Sequence, residues 1–105
     1  MNLADILHHL VNNLQSRGLS DFVRVHKGVF QSVNGLQDAY DLIFCDTTHG
    51  VEEIRYNVPF IKKLIHAGSI VICDDCASYN EAKLISDILE CKSFEVHGTT
   101  FIGYC

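Results

Sequence analysis

The sequence predicts an α/β fold: a largely parallel sheet closed by a C-terminal antiparallel hairpin, with helices on both faces. Three observations lead there. Residues 40–45 (Tyr-Asp-Leu-Ile-Phe-Cys) and 69–74 (Ser-Ile-Val-Ile-Cys-Asp) are continuous apolar runs of strand length, the pattern of parallel strands covered by helices. The segments around them carry apolar residues at steps of three and four, the helical period. The predicted order is helix, strand, short helix, strand, helix, strand, helix, strand, strand. That alternation suits right-handed crossovers in a single sheet.

Residues 3–17 hold Leu3, Ile6, Leu7, Leu10, Val11 and Leu14, one apolar helix face. Asn2 is placed to cap its start, and Gly18 to end it in a left-handed conformation. Residues 22–26 (Phe-Val-Arg-Val-His) read as a short strand before a turn at Gly28. Residues 29–38 read as a short helix or turn. The run 40–45 is a strand ending at Asp46, and 69–74 is the next. Between them the set Val51, Ile54, Val58, Ile61 and Ile65 marks a helix over about 50–66. Its acids Glu52 and Glu53 come first and Lys62, Lys63 and His66 last, matching the helix dipole. Pro59 falls inside it, deletes one backbone donor and should kink it. A third helix is expected over 79–90. Ser78 and Glu81 have capping-box spacing, and Ala82, Ile85, Ile88 and Leu89 form its buried stripe. Strands near 93–97 and 101–104, joined at Gly98-Thr99-Thr100, close the chain as a hairpin that adds one antiparallel strand at an edge.

The 105 residues, 48% hydrophobic, suit one domain that buries roughly 60–65% of its unfolded surface. The net charge is −5, and Lys62-Lys63 is the sole basic pair of note, so a nucleic-acid partner is not expected. No apolar run reaches the ~20 residues that span a bilayer. Asp5, His8, His9, Asn12 and Asn13 break any leader-like apolar stretch. The expectation is a cytoplasmic protein with no membrane partner. Five cysteines, an odd number with two in strand-like runs, read as reduced thiols. Cys73-Asp74-Asp75-Cys76 has C-x-x-C spacing but lacks the second pair of a zinc site. A receiver-type phosphorylation fold would need its acid pair after the first strand, and here the pair comes late.

Open α/β sheets bind ligands beyond the carboxyl ends of their strands. Asp46, Asp74 and Asp75 fall at two such ends. If those strands are neighbours, the three carboxylates repel one another unless a cation or donors compensate. Oxygen ligands suit Mg²⁺, Mn²⁺ or Ca²⁺, and His49, one turn on, has the chemistry of a general base. The structural alternative is that Asp46 caps the following helix and Asp75 bonds loop amides near Ser78.

The block Tyr40-Asp41-Leu42-Ile43-Phe44-Cys45-Asp46-Thr47-Thr48-His49, then Pro59, then Ala67-Gly68-Ser69-Ile70-Val71-Ile72-Cys73-Asp74-Asp75, resembles the C-terminal half of class I S-adenosylmethionine-dependent methyltransferases. Residues 14–25 are similar to that family's preceding helix and strand. The resemblance implies a partial Rossmann-like methyltransferase sheet over residues 1–105, a single truncated domain. Among metal-dependent small-molecule O-methyltransferases of the group it implies Asp46, Asp74 and Asp75 as ligands of Mg²⁺ or another divalent cation, and His49 as base. The implied reaction is methyl transfer to a small-molecule hydroxyl. The donor-binding pattern is missing: no glycine-rich turn occurs, Gly28-Val29 stands for Gly-Asp, and Gly68-Ser69 for Gly-Gly. No cofactor-binding residue is therefore assigned, and the isolated chain is expected to be inactive. Its donor side would belong to a missing N-terminal half. The alternative is a non-catalytic remnant, a partner-binding or self-associating module that forms a homo-oligomer through its uncovered strand edge.

Overall fold

A computed structural model of the chain describes residues 2–26, 28–29 and 39–105. The element order is α1 (Leu3–Ser16), β1 (Tyr40–Cys45), α2 (Gly50–Lys62), β2 (Ile65–Cys73), α3 (Tyr79–Leu89), β3 (Ser93–His97) and β4 (Thr100–Tyr104). The chain divides into two units, Met1–Val33 and Asn34–Cys105. Among the described residues no helix is long and apolar enough to cross a membrane.

In the first unit, α1 starts as its sequence indicates. Asn2 Oδ1 accepts from the Asp5 N–H at 2.9 Å. At the other end Gly18 has φ +68°. The Gly18 N–H donates to Gln15 and the Leu19 N–H to Leu14, a pair of bonds that takes up two of the last free carbonyls. The segment 22–26 is not a strand. Phe22 ends a turn closed on Leu19, and the residues after it are irregular. Among the described residues this unit holds no strand for it to pair with, and strand propensity without a partner is insufficient. The short element expected at 29–38 lies, apart from Val29, outside the described residues.

The second unit contains a four-stranded sheet in the order β1-β2-β4-β3. β1 and β2 pair in parallel, with Cys45 opposite Cys73. β4 is antiparallel to both β2 and β3. The expectation of a mostly parallel sheet is thus corrected: one of the three pairings is parallel. The hairpin also does not hang its antiparallel strand on the edge. Its return strand β4 inserts beside β2, and β3 becomes the edge. Three of the four strands still point the same way, because β3 is antiparallel to β4, which is antiparallel to β2.

That topology decides where the helices lie. The crossovers β1-α2-β2 and β2-α3-β3 advance across the sheet in the same direction, so a common hand puts both helices on one face. α2 and α3 accordingly pack together, and the expected covering of both faces does not hold for these two. On the covered face Ile54, Val58 and Ile61 of α2 and Ala82, Ile85 and Leu89 of α3 meet Cys45, Val71, Cys73 and Phe101, all buried. On the other face Leu42 and Phe44 stay 61% and 66% exposed.

α2 ends at Lys62, earlier than its apolar spacing suggested, and runs through Pro59 without a break. Ile65 and His66 belong to β2 instead. Ser69 causes the change. Its hydroxyl accepts the His66 N–H at 2.9 Å and donates to the Tyr40 carbonyl at 2.6 Å. Gly68, at φ +99°, also takes a conformation no helix admits. α3 opens with a variant capping box. Ser78 Oγ accepts from the Glu81 N–H, and the Glu81 carboxylate reaches back to the Ala77 N–H at 3.0 Å.

Candidate functional site

The parallel pairing of β1 with β2 sets Cys45 beside Cys73, so the loops that follow leave the sheet side by side. Main-chain bonds then lace them together. The Asp74 N–H donates to the Cys45 carbonyl at 3.0 Å. The fully buried Thr48 donates its hydroxyl to the Asp74 carbonyl at 3.3 Å. Asn57 of α2 donates to the Thr47 carbonyl at 2.8 Å. On the far side the hairpin turn contributes: the Cys76 N–H donates to the Thr99 carbonyl at 2.7 Å. Each side chain of the site is therefore carried on a stretch of backbone pinned at several points.

These constraints bring Asp46, His49 and Asp75 together, with one ligand atom from each within 4.8 Å of the others. His49 Nε2 lies 2.9 Å from Asp75 Oδ2 and 3.4 Å from Asp46 Oδ1. His49 is the N-cap residue of α2 but makes no side-chain capping bond, which leaves its ring to face the acids. Asp75 has φ +55°, a left-handed conformation uncommon outside glycine and more tolerated by Asp and Asn than by most residues. Asp74, at the bend that follows β2, contributes its main chain to the lacing, while its carboxyl lies outside the group of three. Of the four residues singled out in the sequence, the structure thus joins Asp46, His49 and Asp75.

The capping alternative is not what the described residues show. The α2 N-cap is His49 rather than Asp46, and Asp75 Oδ2 meets the imidazole. One neighbour escaped the sequence reading. Glu53 Oε2 lies 3.6 Å from His49 Nδ1, so both ring nitrogens face carboxylates. The i, i+4 spacing of His49 and Glu53 at a helix start is the signal that would have found it. The hydrogen bond to Asp75, with Glu53 and Asp46 nearby, raises the His49 pKa above its ordinary value. The ring is held towards its cationic form as long as nothing else neutralises the three acids.

Beneath the site the Cys45 thiol is lowered to about 6, first by the hydrogen bond from Cys73 and then by Thr47, whose Oγ1 is 2.9 Å away. The same bond raises Cys73. Both thiols are buried and unbridged, as expected for reduced cysteines; their place is under the carboxylates rather than among them.

Chemically, two carboxylates and one imidazole form a hard-to-borderline donor set that suits divalent ions with several open positions. Donors ~2.1 Å from an octahedral ion lie about 3.0 Å apart, and the 2.9 and 3.4 Å separations approach that edge length. The residues present therefore fit such an ion.

Residues 4–76 match the model of a family described as a methyltransferase domain. Among curated proteins, the chain is 32% identical over 78 residues to a G-type lectin S-receptor-like serine/threonine-protein kinase of Arabidopsis thaliana. That match covers 74% of this chain and 9% of the relative, so the matched part spans less than a tenth of the length of that protein. No solved structure matches the chain.

Proposed function

This chain belongs to the methyltransferase domain family, and on that premise we propose that it derives from a divalent-metal-dependent S-adenosylmethionine O-methyltransferase acting on a small-molecule hydroxyl. The observation that carries this reading is the convergence of Asp46, His49 and Asp75 beyond the ends of β1 and β2. A divalent cation bound there would supply Lewis-acid polarisation of the acceptor hydroxyl. Asp46, Asp75 and His49 Nε2 would hold it. Glu53 would fix the ring through Nδ1, as outer carboxylates orient metal-bound imidazoles. In this arrangement His49 Nε2 is committed as a ligand, so the base role implied by the family resemblance passes to another group. Asp74, the third acid of that resemblance, supports the site by its main chain.

The donor side is a separate matter. The chain has no glycine-rich turn of the kind that cradles a nucleotide-like cofactor. We therefore assign S-adenosylmethionine binding to sequence outside these 105 residues and expect no methyl transfer by this chain alone.

Two titrations test the reading. Calorimetry with Mn²⁺ should show binding that weakens at least tenfold in Asp75→Asn and in Asp46→Asn. Equal affinity in wild type and variants would remove the metal assignment. Calorimetry with S-adenosylmethionine should show none; micromolar binding would overturn the assignment of the donor side. A second reading, a non-catalytic module that pairs with itself, is favoured by Leu42 and Phe44, which lie exposed on the edge strand β1. A large apolar patch on an open edge is a pairing site. Concentration-dependent sedimentation that Phe44→Ser abolishes, in a chain that binds no Mn²⁺, would favour this second reading over the first.

A further inference from the structure

Two thiols far from the carboxylate site stand close together. Cys91 Sγ and Cys105 Sγ are 3.4 Å apart, both unbridged and both partly exposed. Backbone geometry brings them there. The last register pair of the hairpin is Ser93 with Tyr104, and the Lys92 N–H extends it by donating to the Tyr104 carbonyl at 2.8 Å. The Cys105 N–H donates to Ser69 on the neighbouring strand at 2.8 Å, so Cys105 continues β4. On the other partner, the Cys91 N–H donates to Ser86, anchoring the thiol at the end of α3.

Side-chain alternation completes the placement. Gly103 and Cys105, two apart on β4, point to the same sheet face. A Cβ at Gly103 would lie 2.8 Å from Cys91 Sγ. The missing side chain at Gly103 is thus what admits the Cys91 sulfur to this face, next to Cys105. Cys91 also lines a cleft of about 680 Å³ between α3 and β3, shared with Tyr79, Lys83 and Phe94, and Cys105 is itself partly exposed, so a small oxidant can reach both thiols.

We propose that Cys91 and Cys105 are a reversible oxidation site that closes to a disulfide when the oxidant is a peroxide. Burial, with the adjacent Cys105 thiol, pushes the Cys91 thiol up to about 12, so Cys91 is the poorer first nucleophile. Cys105 sulfur attacks a peroxide oxygen; the O–O bond breaks, and a sulfenic acid and water form. Cys91 sulfur then displaces the sulfenic hydroxyl, giving the S–S bond and a second water. Two thiols are oxidised, one peroxide is reduced, and both thiol protons leave in the two waters. The bond closes a ring holding the whole β3–β4 hairpin, residues 91–105. Cross-linking a loop of about 15 residues should cut the population of the opened hairpin by roughly a hundredfold.

The test uses the 105-residue chain. After hydrogen peroxide, alkylation and trypsin without reductant, peptides 84–92 and 93–105 should appear joined, two hydrogens lighter than their sum. Dithiothreitol should separate them, and Cys91→Ser and Cys105→Ser should each abolish the joined species. The oxidised wild type should melt higher than the reduced protein, a difference the serine variants lack. Several results would overturn the proposal: both peptides recovered alkylated, Cys105 advanced to sulfinic acid with Cys91 still free, a link to peptide 64–83, or a cross-linked dimer. A joined chain that melts no higher would overturn the stapling of the hairpin.

Discussion

Replacing Gly103 with alanine isolates packing from backbone effects. Gly103 lies within β4 and has no left-handed φ, so alanine adopts its backbone without strain. Taken alone, Gly to Ala inside a strand should stabilise by about 0.5–1 kcal/mol. The surroundings reverse the sign. The new Cβ would meet Cys91 Sγ at 2.8 Å and Phe101 Cε1 and Cζ at 2.8 and 2.9 Å, against ~3.5–4.0 Å for an unstrained contact. The Phe101 ring is fully buried and stacked on Phe94 at 5.6 Å, so it cannot swing away freely. Overpacking of this kind costs about 1–3 kcal/mol. The net loss is about 1 kcal/mol, which lowers the Tm by roughly 4–8 °C in a domain of this size. Thermal unfolding followed by circular dichroism reads it. Adding Cys91→Ala to Gly103→Ala should recover part of the loss, with a coupling of about 0.5 kcal/mol or more. An unchanged or higher Tm for the single variant, or strict additivity in the pair, would refute the reasoning.

Further outcomes follow from other parts of the unit. Ile54→Ala removes a fully buried side chain of α2 and should cost about 2–5 kcal/mol in a urea titration. Ser78→Ala removes the hydroxyl that accepts the Glu81 N–H and should cost about 1 kcal/mol, with amide exchange accelerated at the start of α3. His66 is held above its ordinary pKa by the Ala67 carbonyl and by Asp41, whose Oδ1 lies 2.6 Å from Nε2. Because the folded value is the raised one, this contribution is complete below about pH 6.5 and is lost as pH rises through the raised value. An NMR titration should show His66 above its ordinary value in the wild type and lower in Asp41→Asn. That variant should also flatten the decline in stability across that window.

Much of this architecture is legible in the chain because it is written locally. Asn2 and Gly18 bound α1, Ser78 with Glu81 opens α3, and the apolar runs mark β1 and most of β2. What was not legible is set by partners distant in sequence. Ile65 and His66 continue the helical spacing of α2, yet Ser69 and Tyr40 draw them into β2. Phe22–His26 has strand composition and no described neighbour in its unit to complete it. The insertion of β4 beside β2 depends on non-local pairing that no short-range pattern encodes. In the site, strand ends pointed to Asp46, Asp74, Asp75 and His49. The left-handed backbone at Asp75 and the turn into α2, rather than residue type, bring Asp75 and His49 to the same point and leave Asp74 outside it.

The bond from the Cys76 N–H to the Thr99 carbonyl bears on how freely the hairpin turn can change length. Exposed two-residue turns are ordinarily among the places where a chain accepts insertions. Here the turn Gly98-Thr99 is also the prop for the residue that follows Asp75. An added residue would move the Thr99 carbonyl, release the Cys76 amide and let the Asp75 carboxylate drift from His49, with the sheet itself intact. A surface turn more than twenty residues downstream is in this way subject to the geometry of the site, and its length should be as restricted as that of the loops carrying the ligating side chains.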